Sequence, residues 1–88
     1  MDRIIDISSE AFSLSLKHQQ LLLKKEGELV SSIPIEDLGA VVLDNPKITI
    51  THACLATLLK HNVSVVSANE KHLPQGMFLN LSGHSVQT

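Results

Sequence analysis

Tryptophan and tyrosine are missing from this 88-residue chain, and Phe12 and Phe78 are its only aromatic side chains. A core built here must draw its bulk from leucine, isoleucine and valine, each contributing a little. Cysteine is nearly absent too: Cys54 stands alone, which excludes an internal disulfide and fits a reducing, cytoplasmic compartment. Positive charge is in deficit, with seven Lys and Arg against nine Asp and Glu and a formal net charge of -2. That balance excludes a bulk electrostatic grip on nucleic acid, so any phosphate contact has to be local. No apolar run approaches the roughly 18 residues of a membrane span, and Met1-Asp2-Arg3 leads into a strand pattern rather than a signal-peptide apolar core. A chain this short makes one small domain burying a little over ~60% of its unfolded surface, so a partner surface would add to its stability.

What is present is mostly strand. Arg3-Ile4-Ile5-Asp6-Ile7 is β-branched and bounded by Ser8-Ser9, which reads as a first strand. Phe12, Leu14 and Leu16 then alternate with Ser13, Ser15 and Lys17, the period of a strand with one dry face. Leu21-Leu22-Leu23 follows at once, leaving His18-Gln19 as a two-residue hairpin loop that lacks the glycine such loops favour. With that turn, Leu16 opposes Leu21 and Leu14 opposes Leu23 on the core side, while Lys17, Gln20 and Lys24 share the other face. Leu22 is the apolar misfit on that wet face. Gly27 marks the next turn, and Leu29 to Ile33 returns as a strand stopped by Pro34, so the chain to this point reads as one β-meander.

Glu36-Asp37-Leu38-Gly39 reads as a single turn ended by glycine, and Ala40-Val41-Val42-Leu43 as a strand buried on both faces. Asp44-Asn45-Pro46 breaks it, Ile48 to Ile50 is a short strand, and Thr51 is placed to cap a helix over about 51–61 with Leu55, Leu58 and Leu59 on one stripe. Asn62 tolerates the left-handed conformation that ends such a helix. Val63 to Val66 is a further strand; the chain then turns loop-like through Pro74 and Gly76, with Met77-Phe78-Leu79 as an edge strand. The fold class is mainly β: a small two-sheet, sandwich-like domain with one α-helix. It occupies 1–80, and the small polar residues of 81–88 read as the start of a linker.

Four ordered segments resemble one family. They are Arg3 to Ser8, Ile33 to Asp37, Leu43 to Thr51, and Glu70-Lys71-His72-Leu73-Pro74-Gln75-Gly76 leading to Gly83-His84-Ser85. Together they resemble the N-terminal β-domain of the CRISPR-associated adaptation integrase, in the branch that accompanies single-protein, RNA-guided effector nucleases (type II systems). The resemblance implies a homodimer of two-domain subunits, with β-domains meeting across a two-fold axis. It implies a helical domain, beyond this chain, holding magnesium or manganese for DNA cutting and joining. It also implies a small ferredoxin-like partner protein and insertion of short DNA fragments, as new spacers, into the CRISPR array. No catalytic or metal-binding residue of the family has a counterpart in these 88 residues, so the chain is expected to be a non-catalytic piece of an enzyme.

One position carries over. Family members present a ringed side chain at the tip of the first hairpin, where it stacks on the last base pair and splays the strands of double-stranded DNA; His18 occupies that tip here. Imidazole offers a smaller stacking surface than tyrosine. Lys17 and Lys24 share its face and are placed to meet phosphates. The plain alternative is an exposed turn histidine between solvated lysines. Leu22 is read as a dimer-interface residue, the alternative being that it packs beneath the loop around Met77 and Phe78.

Other candidates are weaker on their chemistry. His52 and His61, nine apart on one helix, fall on opposite faces and cannot share an ion. Glu70, His72 and His84 match no closed zinc spacing, though they supply a third reading as a metal hydrolase. Cys54 beside Leu55 and Leu58 packs as a small hydrophobe, and the adjacent carboxylates Glu36 and Asp37 point apart. A stand-alone protein-interaction module, without a nucleic-acid role, is the alternative to the DNA-bracing domain.

Overall fold

A computed structural model describes residues 3–81. The chain runs through β1 (Arg3–Ile7), β2 (Ser13–Lys17), β3 (Gln20–Lys25) and β4 (Glu28–Pro34), then a short 3-10 turn at Ile35–Asp37. It continues through β5 (Leu38–Leu43), β6 (Thr49–Ile50), α1 (His52–Lys60), β7 (Ser64–Ala68) and β8 (Pro74–Phe78). These form two four-stranded sheets, ordered β1-β5-β7-β8 and β4-β3-β2-β6. The mainly-β, two-sheet, one-helix architecture matches the sequence reading.

The second sheet follows its local patterning. Leu14 pairs with Leu23 and Leu16 with Leu21 across the hairpin, and Leu14, Leu21, Leu23 and Ile33 are buried. Alternation thus sets the register, because a slip of one residue would turn the buried leucines outward. The first sheet follows non-local pairing instead. β1, β5 and β7 run parallel, with Ile5, Val41 and Val65 in one row, and β8 returns antiparallel on the far edge.

Four details depart from the sequence reading. The meander is β2-β3-β4 alone; β1 belongs to the other sheet, because Ile7 and its neighbours find their partners in β5 rather than in the adjacent strand. Gly39 does not end a turn but sits inside β5 as the extra residue of a bulge between the Arg3–Leu38 and Ile4–Ala40 pairs. β5 is not dry on both faces: Leu38 and Val41 are buried, whereas Ala40, Val42 and Leu43 are half-buried. β8 begins at Pro74 rather than Met77, since an edge strand tolerates proline at its first position.

The helix closes the layers. It touches β2 in one sheet and β7 in the other, and it sinks Cys54 and Leu58 completely. Thr51 Oγ1 accepts the Cys54 N–H at 3.1 Å, the expected N-cap. Asn62 takes φ 63°, and the Val63 N–H donates back to the Leu58 carbonyl at 2.9 Å, which ends the helix and starts the path to β7. Burial lifts the Cys54 thiol to about 11, so it stays protonated and inert at neutral pH. No helix of the described residues is long and apolar enough to cross a membrane.

Candidate nucleic-acid interface

The β2–β3 hairpin ends in two consecutive left-handed residues, His18 at φ 52° and Gln19 at φ 62°. This is the two-residue geometry whose twist suits a hairpin, made here without glycine, at about 1–2 kcal/mol per left-handed residue. One contact holds it: the Ile35 N–H donates to the Gln19 carbonyl at 3.0 Å, tying the tip to the 3-10 turn. The tip is therefore a fixed protrusion with an exposed imidazole.

Outward register puts Lys17 opposite Gln20, Ser15 opposite Leu22 and Ser13 opposite Lys24. The face assignment made from sequence is the one observed. A groove of about 450 Å³ runs along this face between Lys17, His18, Leu22, Lys24 and Leu29, and no carboxylate lines it. A second groove of about 460 Å³ lies on the other side of the tip, between His18, Gln19, Ile35, Glu36 and His61. His18 and Gln20 border both, so the imidazole stands on a ridge separating a cationic groove from one with an acidic wall.

Lys17 and Lys24 have no carboxylate partner among the described residues, and this separates them from Lys25. The Lys25 Nζ reaches Glu10 Oε1 at 2.7 Å, both groups partly exposed. That hydrogen bond, with the charge of Glu10, raises the Lys25 ammonium above its ordinary value. A net-negative chain thus carries two unpaired lysines on the outer face of this hairpin, Lys17 next to the tip and Lys24 at the far end of β3.

The remaining candidates fall apart or stay bland. Leu22 is half-buried in the cationic groove; Ser15 and Ser32 flank it, while Met77 and Phe78 lie on β8 of the other sheet. His52 opens α1 and His61 caps its other end. His84 and the Gly83-His84-Ser85 segment lie outside the described residues, as do positions 82–88 of the expected linker. Among the described residues no group of three or more His, Cys, Asp or Glu could hold a metal ion. Sequence reasoning missed one pair: His72 Nδ1 meets Asp44 Oδ1 at 2.9 Å, joining the β7–β8 loop to the end of β5. No spacing signal could have found it, because parallel pairing of β5 and β7 brings those loops together.

Fold and hairpin define a class: a two-sheet β-domain that projects one ringed side chain beside unneutralised lysines. The family model described as CRISPR associated protein Cas1 matches residues 5–88, and the chain belongs to that family. It is 33% identical over 66 residues to the CRISPR-associated endonuclease Cas1 of Neisseria meningitidis serogroup C (strain 8013), a match covering 75% of this chain. The match spans only 21% of that relative's length. Among solved structures, a partial Cas6-RT-Cas1--Cas2 complex superposes with a TM-score of 0.77 at 22% identity, over 90% of this chain and 24% of that one. A Cas1 protein from Thermotoga maritima gives 0.74 at 17% identity, over 88% and 25%. A casposase bound to integration product gives 0.70 at 14% identity, over 91% and 26%. At these identities the structural likeness establishes the fold.

Proposed function

We propose that this chain is the non-catalytic, DNA-end-bracing and dimerising β-domain of a Cas1 integrase, from the branch that accompanies single-protein RNA-guided effectors. The observation that carries the reading is the hairpin tip: a fixed imidazole ridge beside a groove with two free lysines and no acid. In it, His18 stacks on the terminal base pair of a double-stranded DNA fragment and holds the strands splayed, and Lys17 and Lys24 meet the adjoining phosphates. Residues 1–80 form the bracing domain and 81–88 begin the linker to a helical domain.

The complete protein, in this reading, works in the cytoplasm and inserts new spacers into CRISPR arrays, with magnesium or manganese bound in that helical domain. The described residues of this chain do not fit such a metal, since Asp44 and His72 bond each other and gather no third donor. Its partners are a second copy of itself and a small ferredoxin-like adaptation protein. Leu22 contributes to the contact between copies, and because it shares the lysine groove, self-association and DNA-end binding are coupled through one face. Kinship supports these statements: a matched relative is named an endonuclease, and similar folds occur in a Cas1--Cas2 assembly and in a casposase on its integration product.

The test uses the full-length parent. Replacing His18 and Lys17 with alanine weakens binding to splayed-end DNA by roughly tenfold or more, the worth of one stacked base. Unchanged binding removes the bracing role and leaves the domain as a protein-interaction module. The exposed apolar row Leu73, Met77, Phe78 and Leu79 favours that second reading. The 88-residue chain itself is expected to leave DNA uncut with magnesium or manganese.

A further inference from the structure

The β2–β3 hairpin of the second sheet is anchored on the first sheet through one residue, Ile35. β4 pairs with β3 as far as Pro34 and Gln20, and one residue further the Ile35 N–H donates to the Gln19 carbonyl at 3.0 Å. The Ile35 side chain is 2% exposed and belongs to the buried core. Its carbonyl accepts the N–H of Leu38, the first residue of β5. Leu38 is buried as well and pairs with Arg3 of β1. Donor, side chain and acceptor of Ile35 are all engaged, and each holds a different part of the molecule: the hairpin tip, the core and the first sheet.

The tip that Ile35 grips is poorly held by its own residues. Two-residue turns of this left-handed kind favour Asn-Gly, because most other side chains resist the conformation. His18 and Gln19 adopt it at φ 52° and 62°, and both are exposed. Such a backbone persists only where its surroundings enforce it. Without the Ile35 N–H the turn relaxes into other conformations, and the imidazole moves with it.

We infer that Ile35 is a positioning residue for the DNA end: its N–H fixes the His18 imidazole in place before DNA arrives, an inference that rests on the bracing reading of the hairpin. With its side chain sunk in the core, Ile35 meets no DNA itself. It acts by sparing the complex the cost of ordering the stacking ring.

The test is an amide-to-ester exchange at Ile35 in the full-length parent, which deletes the N–H and keeps the side chain. Cys54 offers the ligation junction between a synthetic segment 1–53 and the recombinant remainder. The ester weakens binding to splayed-end DNA by roughly fivefold. Gln19→Gly in the ester protein restores it, because glycine holds a left-handed turn unaided. In a His18→Ala background the ester changes nothing further, the signature of a residue that acts through the ring. An ester that leaves binding intact where His18→Ala weakens it overturns the inference and spares the bracing reading. An ester effect that persists without His18, or that Gln19→Gly fails to reverse, overturns it in favour of a general role in the fold. Where neither the ester nor His18→Ala weakens binding, the bracing reading falls and the inference with it.

Discussion

β3 carries a tight turn at each end, and the two turns are built differently. At one end Glu26 and Gly27 take φ 52° and 82°, with glycine at the more extreme position. At the other, His18 and Gln19 take φ 52° and 62° with two ordinary side chains. The Glu26–Gly27 turn needs no support; the His18–Gln19 turn is held by the Ile35 N–H. Charge does not divide the same way: Lys25, beside the glycine turn, is occupied by Glu10, but its neighbour Lys24 is as unpaired as Lys17 beside the histidine turn. What separates the tips is their second residue, Gln19 in one and Gly27 in the other, so the histidine turn carries the greater backbone strain.

The deepest way to break the comparison is to remove what both turns stand on. Leu21 is fully buried and Leu22 beside it is half-buried on the outer face. Leu21→Ala lowers unfolding free energy by ~3 kcal/mol in urea titration, and Leu22→Ala by less than ~1 kcal/mol. Equal losses would mean that the outer face is covered as thoroughly as the core.

DNA binding separates the tips next. His18→Ala in the full-length parent loses ~1–3 kcal/mol of affinity for splayed-end DNA in a fluorescence anisotropy titration at fixed salt. Glu26→Ala, at the matching place on the other tip, changes nothing. Equal effects would dissolve the distinction.

Backbone exchange sharpens it further. Gln19→Gly relieves a left-handed residue and raises stability by ~1 kcal/mol, while Gly27→Ala lowers it by about the same. A Cβ at Gly27 meets nothing within 4 Å, so that loss reports backbone strain alone. The smallest effect belongs to the ion pair: Glu10→Gln leaves the thermal midpoint unchanged, because an exposed pair holds little free energy.

The histidine turn was legible in the chain because its signals are local. Leucine alternation on both sides fixed the register, and with it the shared face of Lys17, Gln20 and Lys24. The Thr51 cap and the left-handed Asn62 were legible for the same reason, as each acts within one helical turn. The first sheet was not. Its strands were found, but Arg3 pairs with Leu38 and Ala40 with Ser64, and neither pairing leaves a mark near its own residues. Gly39 looked like a stop because glycine commonly is one; its bulge is intelligible only once β1 lies alongside. The Asp44–His72 contact was hidden twice over, since it depends on both the parallel pairing and the loop at Asn69.

The parallel pairing of β1 with β5 has a consequence for synthesis. A growing chain releases Arg3 to Ile7 well before β5, their hydrogen-bonding partner, which lies beyond the whole meander. Until β5 emerges, Ile4, Ile5 and Ile7 travel as an unmatched sticky edge, guarded by the charges of Arg3 and Asp6. Arg3 and Asp6, both exposed in the finished sheet, place charge on that edge while it waits for its partner strand.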